Sequence, residues 1–227
     1  MSRIIDLSGP LYNGMWSYNA LSTLGTRLTD FHVEQIAALP NQGFEAFDYA
    51  LSSITGTYLE NAGHMLAGIP PLHSVDLSNF IRPAVVCHVP AKGPDEVIHG
   101  SELAAHCPAL QPGDALLIEC GWGVRWESPD YVVHGPGFHH DCLPWFLDQP
   151  FSMLGVDVPC IETARSRPDG TEAAGNMLTP LFERGLLLLA PLVNLETIKS
   201  ERGELIALPL NIRGVSGAPC RAIFREA

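Results

Sequence analysis

The chain has 227 residues, of which 46% are hydrophobic and 17% charged, and a formal net charge of −12. That composition excludes a disordered chain and suits one domain, residues 1–227, with a substantial core. So acidic a balance argues against nucleic acid or an anionic membrane as partner.

The start, "MSRIIDLSGPLYNG", lacks the apolar run and small-residue cleavage site of a secretory leader. The longest apolar run, Gly185 to Val193, is too short to span a bilayer. The six cysteines form no C-x-x-C pair and read as reduced, mostly buried thiols of a cytoplasmic protein rather than a zinc ribbon.

In chain order, "HVEQIAAL" and "FEAFDYALSS" read as extended. Apolar runs at Val85 to Val89, Ala115 to Cys120, Leu186 to Ala190 and Leu205 to Leu210 read as strands. Between them lie helical stretches. "SELAAHCPAL" offers Ser101 as N-cap, "HHDCLPWFLDQ" tolerates Pro144 only in an early turn, and "NMLTPLFERG" ends on a C′ glycine, Gly185. The mixture is α/β, with more strands than simple alternation would give.

Chemistry concentrates in residues 51–66, "LSSITGTYLENAGHML". Gly56-Thr57 permits a tight turn, and Glu60 and His64 stand at i, i+4, the spacing of one helical face. A carboxylate beside an imidazole raises its pKa and orients its tautomer, which equips a general acid or base. Tyr58 is close enough in sequence to join as a donor. On spacing alone, an ordinary surface Glu-His pair is the simpler account.

The stretch resembles the signature of the cyclase family, which includes bacterial kynurenine formamidase and isatin hydrolase: His-x-Gly-Thr-His-x-Asp-x-Pro-x-His. It lies on residues 54–64 without a gap. "IDLSGPLYNGM", "GDALLIECGWGVRWESPDYVVHGPGF", "LGVDVPCIE", "LVNLETI" and "LIALPLNIRGVSGAPCRAIF" resemble further family segments, so the similarity runs nearly end to end. It implies a mixed sheet with β-barrel character and flanking helices, of the swivelling β/β/α type. It also implies a homodimer or homotetramer with its pocket near a subunit interface, and a hydrolase holding one or two divalent ions.

Carried onto this chain, the first two signature histidines become Ile54 and Tyr58, and the aspartate becomes Glu60. The later histidine and glutamate fall near Leu178, or at Asn176 if the register slips, and at Ala190. Only His64, the acid/base position, is unchanged. Isoleucine, leucine and alanine donate no lone pair, and an open zinc site takes three protein ligands. The expectation is therefore no metal and no cofactor.

The catalytic candidates are His64, Glu60 and Tyr58, with Trp16, Tyr18 and His139 as substrate contacts. His134 and His140 accompany His139 in "HGPGFHHDC", and solvent-facing loop positions are the simpler reading for all three. His32, His73, His88, His99 and His106 read as histidines without a role. Trp122 and Trp126 are pocket walls or core in equal measure.

Three functions remain open. One is a metal-independent enzyme doing acid/base chemistry (cyclisation, ring opening or dehydration) on a small carbonyl-bearing or aromatic metabolite. The second is a metal-dependent amide or lactone hydrolase. The third is a ligand-binding protein without turnover.

Overall fold

The computed structural model describes residues 2–21, 25–162 and 177–226. Asn176 lies outside the described residues.

The elements in chain order are β1 (Ile4–Asp6), β2 (His32–Ala37), α1 (Leu39–Gln42), β3 (Ala46–Ala50), β4 (Tyr58–Glu60), β5 (Ile81–His88), β6 (Val97–Ile98), α2 (Gly100–His106), β7 (Ala115–Glu119), β8 (Gly137–Phe138), α3 (Cys142–Asp148), β9 (Met153–Val156), α4 (Leu178–Glu183), β10 (Leu187–Ala190), β11 (Arg202–Pro209) and β12 (Gly217–Glu226). The main sheet runs β1-β12-β11-β5-β7-β9-β10-β4, and a further β12–β4 pairing closes seven of its strands into a barrel. β5, β7, β9 and β10 are mutually parallel. β4 pairs antiparallel with β10 and β12, β11 pairs so with β5 and β12, and β1 with β12. The expected mixed α/β fold with barrel character is what forms.

Strand alternation sorts the side chains into two cores. Leu59, Val86, Leu117, Met153, Leu189, Leu205 and Phe224 fill the barrel. Tyr58, Cys87, Leu116, Ile118, Leu154, Val156, Leu188 and Ala190 face outward, against α2, α3, α4 and the tryptophan-bearing loops. Strands buried on both faces read as continuous apolar runs, which is why "ALLIE" and "LLLA" stand out in the sequence.

Several boundaries differ from the sequence reading. β5 begins four residues earlier than expected, because its N-terminal half pairs with β11 through Ile81 and Arg82 despite their exposure. α2 is capped at His99 rather than Ser101: its N–H donates to the Glu102 carboxylate at 2.8 Å. Pro144 sits in the first turn of α3, and Gly185 follows α4 with φ +76°, both as expected. "HVEQIA" and "AFDYA" pair with each other as a separate two-stranded ribbon.

Candidate active site

The signature stretch crosses from the barrel wall into a tight turn. Gly56 adopts φ +64°, and a Cβ there would stand 2.3 Å from Leu11 Cδ2. Position 56 therefore takes glycine for both its backbone and its space. Thr57 then anchors the strand, donating from Oγ1 to the Pro191 carbonyl at 2.7 Å. β4 carries Leu59 into the barrel and Tyr58 and Glu60 onto the opposite face.

No α-helix begins at Glu60. The strand ends there, and Asn61 caps a single 3-10 turn over Ala62–His64 by accepting the Gly63 N–H at 2.9 Å. Asn61 Nδ2 also donates to the Pro70 carbonyl at 2.9 Å, which fixes the turn to the following loop. The Glu60–His64 contact forms all the same, with Nδ1 3.2 Å from Oε2, but across a strand end rather than along a helical face.

Its electrostatics reverse the expected sense. The Glu60 side chain is 2% exposed, and Oε2 has no partner of hydrogen-bonding geometry among the described residues. Burial pushes its pKa up to about 8, so at neutral pH it is largely a carboxylic acid. His64 is 41% exposed, and desolvation lowers its pKa. Glu60 therefore does not charge His64; the two form a neutral acid–imidazole pair with one face open to solvent. Phe182 of α4 stands edge-on to the imidazole at 6.5 Å.

Tyr58 points into an aromatic cluster. Its hydroxyl lies 3.5 Å from that of Tyr18, which donates to the Pro159 carbonyl at 2.7 Å. Tyr18 has thus committed its one proton, so in the long contact between the two phenols Tyr58 is the donor and the Tyr18 oxygen the acceptor. Burial holds both phenols well above their ordinary pKa, so both are neutral. Trp16 packs edge-on to Tyr18 at 5.8 Å and stacks on Tyr131 at 4.9 Å. Its buried Nε1 has no acceptor among the described residues. Trp16, Tyr18, Ile54 and Gly56 border a cavity of about 10 Å³, the size of roughly one water.

The structure thus joins Tyr58, Glu60, His64, Tyr18 and Trp16. His139 stands elsewhere, beside His99 and Asp141. His134 pairs with Asp95 at 2.9 Å on an exposed turn. Trp122 and Trp126 are buried, each indole N–H donating to a backbone carbonyl, Tyr131 and Pro10 respectively. Sequence reading gave no role to Asp157, although it lies in the family-like "LGVDVPCIE". Its buried carboxylate accepts the N–H groups of Cys120 and Trp122, which sets the loop that carries both tryptophans. Burial raises its pKa to about 6.

Among the described residues, the family's metal positions lack the donors an ion needs. Ile54 packs against the outer core. Ala190 stands opposite Tyr58 in the β10–β4 register, so a small residue faces the bulky phenol across the strands. Leu178 is likewise packed against the core. Tyr58 is a neutral phenol, and among the described residues Glu60 and His64 are the remaining donors at these positions; together they fall short of three basic ligands.

The family model "Putative cyclase" matches residues 5–163. The chain belongs to the cyclase family. It is 30% identical over 181 residues to a kynurenine formamidase of Salinibacter ruber, covering 78% of each chain. It is 28% identical over 226 residues to that of Bacillus thuringiensis, covering 99% of this chain and 98% of the relative. Isatin hydrolase A from Ralstonia solanacearum superposes with a TM-score of 0.83 at 21% identity, over 100% of this chain and 92% of that one. The chain is accordingly a hydrolase-like enzyme of the arylformamidase-like cyclase family. Among the described residues, no helix is long and apolar enough to cross a membrane.

Proposed function

We propose that this enzyme works without a metal at its signature stretch, by acid/base chemistry on a small carbonyl-bearing or aromatic substrate. The observation that carries the reading is the neutral Glu60–His64 pair beside a phenol whose proton is held only by a long 3.5 Å contact to the Tyr18 oxygen. Neutral His64 accepts the proton of the attacking group. The Tyr58 O–H donates to the oxyanion that develops on the carbonyl. The imidazolium so formed hands that same proton to the leaving group, and neutral Glu60, 3.2 Å from Nδ1, adds no second charge to the site. A buried carboxyl with a raised pKa beside a second titrating group is the arrangement that runs acid and base chemistry at neutral pH. Trp16 and Tyr18 pack behind Tyr58 and border a space of about one water, so their part is to hold the phenol in place rather than to seat the substrate.

The reactions this serves are ring opening, cyclisation or dehydration. The names of the relatives point first to the formamide of kynurenine and to isatin as test compounds. They also favour a second reading, a metal-dependent amide or lactone hydrolase. Turnover that survives exhaustive chelation and disappears in His64→Ala supports the first. Turnover abolished by chelators and restored by zinc or manganese overturns it. Binding of a compound that is never converted would reduce the site to a ligand pocket.

We read residues 1–227 as one domain, since β1, near the start of the chain, pairs with barrel strand β12 near its end, within one eight-stranded sheet. The β2–β3 ribbon exposes Ile36, Phe47 and Tyr49, and a lone two-stranded ribbon is marginal in water. That supports a homo-oligomer, for which sedimentation at several concentrations is the test. Six free cysteines support a reducing compartment, the cytoplasm.

A further inference from the structure

The sequence reading gave His99 no role and sent His139 to the substrate pocket. The fold gives them a common address. β6 and β8 are parallel and in register, Val97 beside Gly137 and Ile98 beside Phe138. Both strands end there, and the next residue in each is a histidine. The ladder continues one step, with the His139 N–H donating to the Ile98 carbonyl at 2.8 Å, and sets the two imidazoles 4.6 Å apart. α2 and α3 begin immediately afterwards. A Cβ at Gly100 would stand 2.6 Å from the Asp141 carbonyl oxygen, so glycine lets the α2 start close directly on the α3 start. That contact brings Asp141 between the two rings.

We infer that His99, His139 and Asp141 form a binding site for a divalent zinc-class ion, separate from the signature stretch. Nδ1 of His99 lies 3.0 Å and Nδ1 of His139 3.1 Å from the same Asp141 Oδ2. All three donor atoms lie within 4.8 Å of one another. Tetrahedral zinc with bonds of about 2.0–2.1 Å separates its ligand atoms by about 3.3 Å, so the two short edges already approach a coordination face. The Asp141 N–H stands 3.3 Å from Nδ1 of His139. That assigns the ring proton to Nε2 and leaves Nδ1 as a lone pair facing a carboxylate oxygen, an arrangement that a cation relieves. The other carboxylate oxygen is already oriented, accepting the Gly100 N–H at 2.9 Å, as outer contacts of a metal ligand usually are. Two imidazoles and a carboxylate suit zinc and its neighbours rather than calcium or magnesium.

The side chains of His99 and Asp141 are 43% and 47% exposed, so the ion would keep a solvent-open position and exchange readily. Held there, it ties the ends of β6 and β8 to the starts of α2 and α3.

The test uses the full-length protein, stripped with chelator and titrated with zinc alone by calorimetry. One zinc per chain is expected. His99→Gln and Asp141→Asn should each weaken binding more than tenfold with far-UV spectrum and melting transition retained, while Glu60→Gln leaves it unchanged. Zinc at one hundred times its Kd should raise the wild-type Tm by roughly 5–10 °C, and the His99→Gln Tm much less. No binding to the wild type, or binding indifferent to both cluster variants, overturns the proposal. Binding lost in Glu60→Gln but not in His99→Gln would place the ion at the signature stretch, overturning both this site and the metal-free reading. Binding lost only in the cluster variants leaves the metal-free reading to its own test of turnover.

Discussion

Two carboxylates of this protein each touch an imidazole, and their surroundings send them in opposite directions. Glu60 is buried against the outer face of the barrel, accepts no backbone N–H among the described residues, and is pushed up to about 8. Asp141 is half exposed. Burial alone would raise its pKa, but the Gly100 N–H and the His99 imidazole outweigh that and hold it below its ordinary value. The residue pair is nearly the same in both places; the supply of hydrogen-bond donors and water decides whether the result is an acid or a permanent anion. The first suits proton transfer and the second suits holding a cation.

The largest effect expected from breaking this contrast is at His64. His64→Ala should lower kcat by about 10²–10⁴-fold, the usual worth of a positioned acid/base group. The melting transition should barely move, because the ring is 41% exposed and, among the described residues, packs edge-on to one aromatic ring, Phe182. An unchanged kcat would remove His64 from the chemistry.

Next is the pH dependence of stability set by Glu60. Its folded pKa lies above the unfolded value near 4.5, so the native state binds the extra proton. Stability is therefore fully present below about pH 4.5 and declines as pH rises toward 8, by on the order of a few kcal/mol. His64, lowered by burial, acts in the other sense and costs stability as pH falls through about 6.5. Thermal melts from pH 5 to 8 should show the wild type losing Tm relative to Glu60→Gln. Parallel profiles would mean that Glu60 is ionised in the fold.

Tyr58→Phe should cost about 10²-fold in kcat with little change in KM, the signature of a lost oxyanion donor. Tyr18 keeps its bond to the Pro159 carbonyl in that variant, so the aromatic cluster should hold its shape.

How much of this could be read beforehand follows from the range of the interactions. The barrel strands were legible because burial on both faces writes them as unbroken apolar runs, as in Ala115–Glu119. The Glu60–His64 pair was legible as a spacing, but not its route: i, i+4 matches a helix and equally a strand end followed by the turn that Asn61 caps. The raised pKa of Glu60 was not legible, since it depends on which side of β4 meets α4 and the tryptophan loops. His99, His139 and Asp141 were the least legible. They lie 42 residues apart at the extremes, and their meeting needs the parallel β6–β8 register together with the close approach at Gly100. Histidines that directly follow two short strands were the signal available, and it gains meaning only once those strands are known to be neighbours.

The smallest effect sharpens the comparison most. In chelator-treated protein, Asp141→Asn should cost under about 1 kcal/mol, because water screens a half-exposed carboxylate. Its pH profile, however, should be the mirror of Glu60. The folded pKa of Asp141 lies below its unfolded value near 3.8, so its contribution is present above that pH and is lost as pH falls through the lowered folded value. Wild type minus Asp141→Asn should thus shrink on acidification below about pH 4, whereas wild type minus Glu60→Gln should worsen on the alkaline side. If both differences ran in the same direction, the surroundings would not be what separates the two carboxylates. The assignment of Glu60 to proton transfer would then lose its physical basis, while the cation site would still stand or fall on its geometry and its zinc titration.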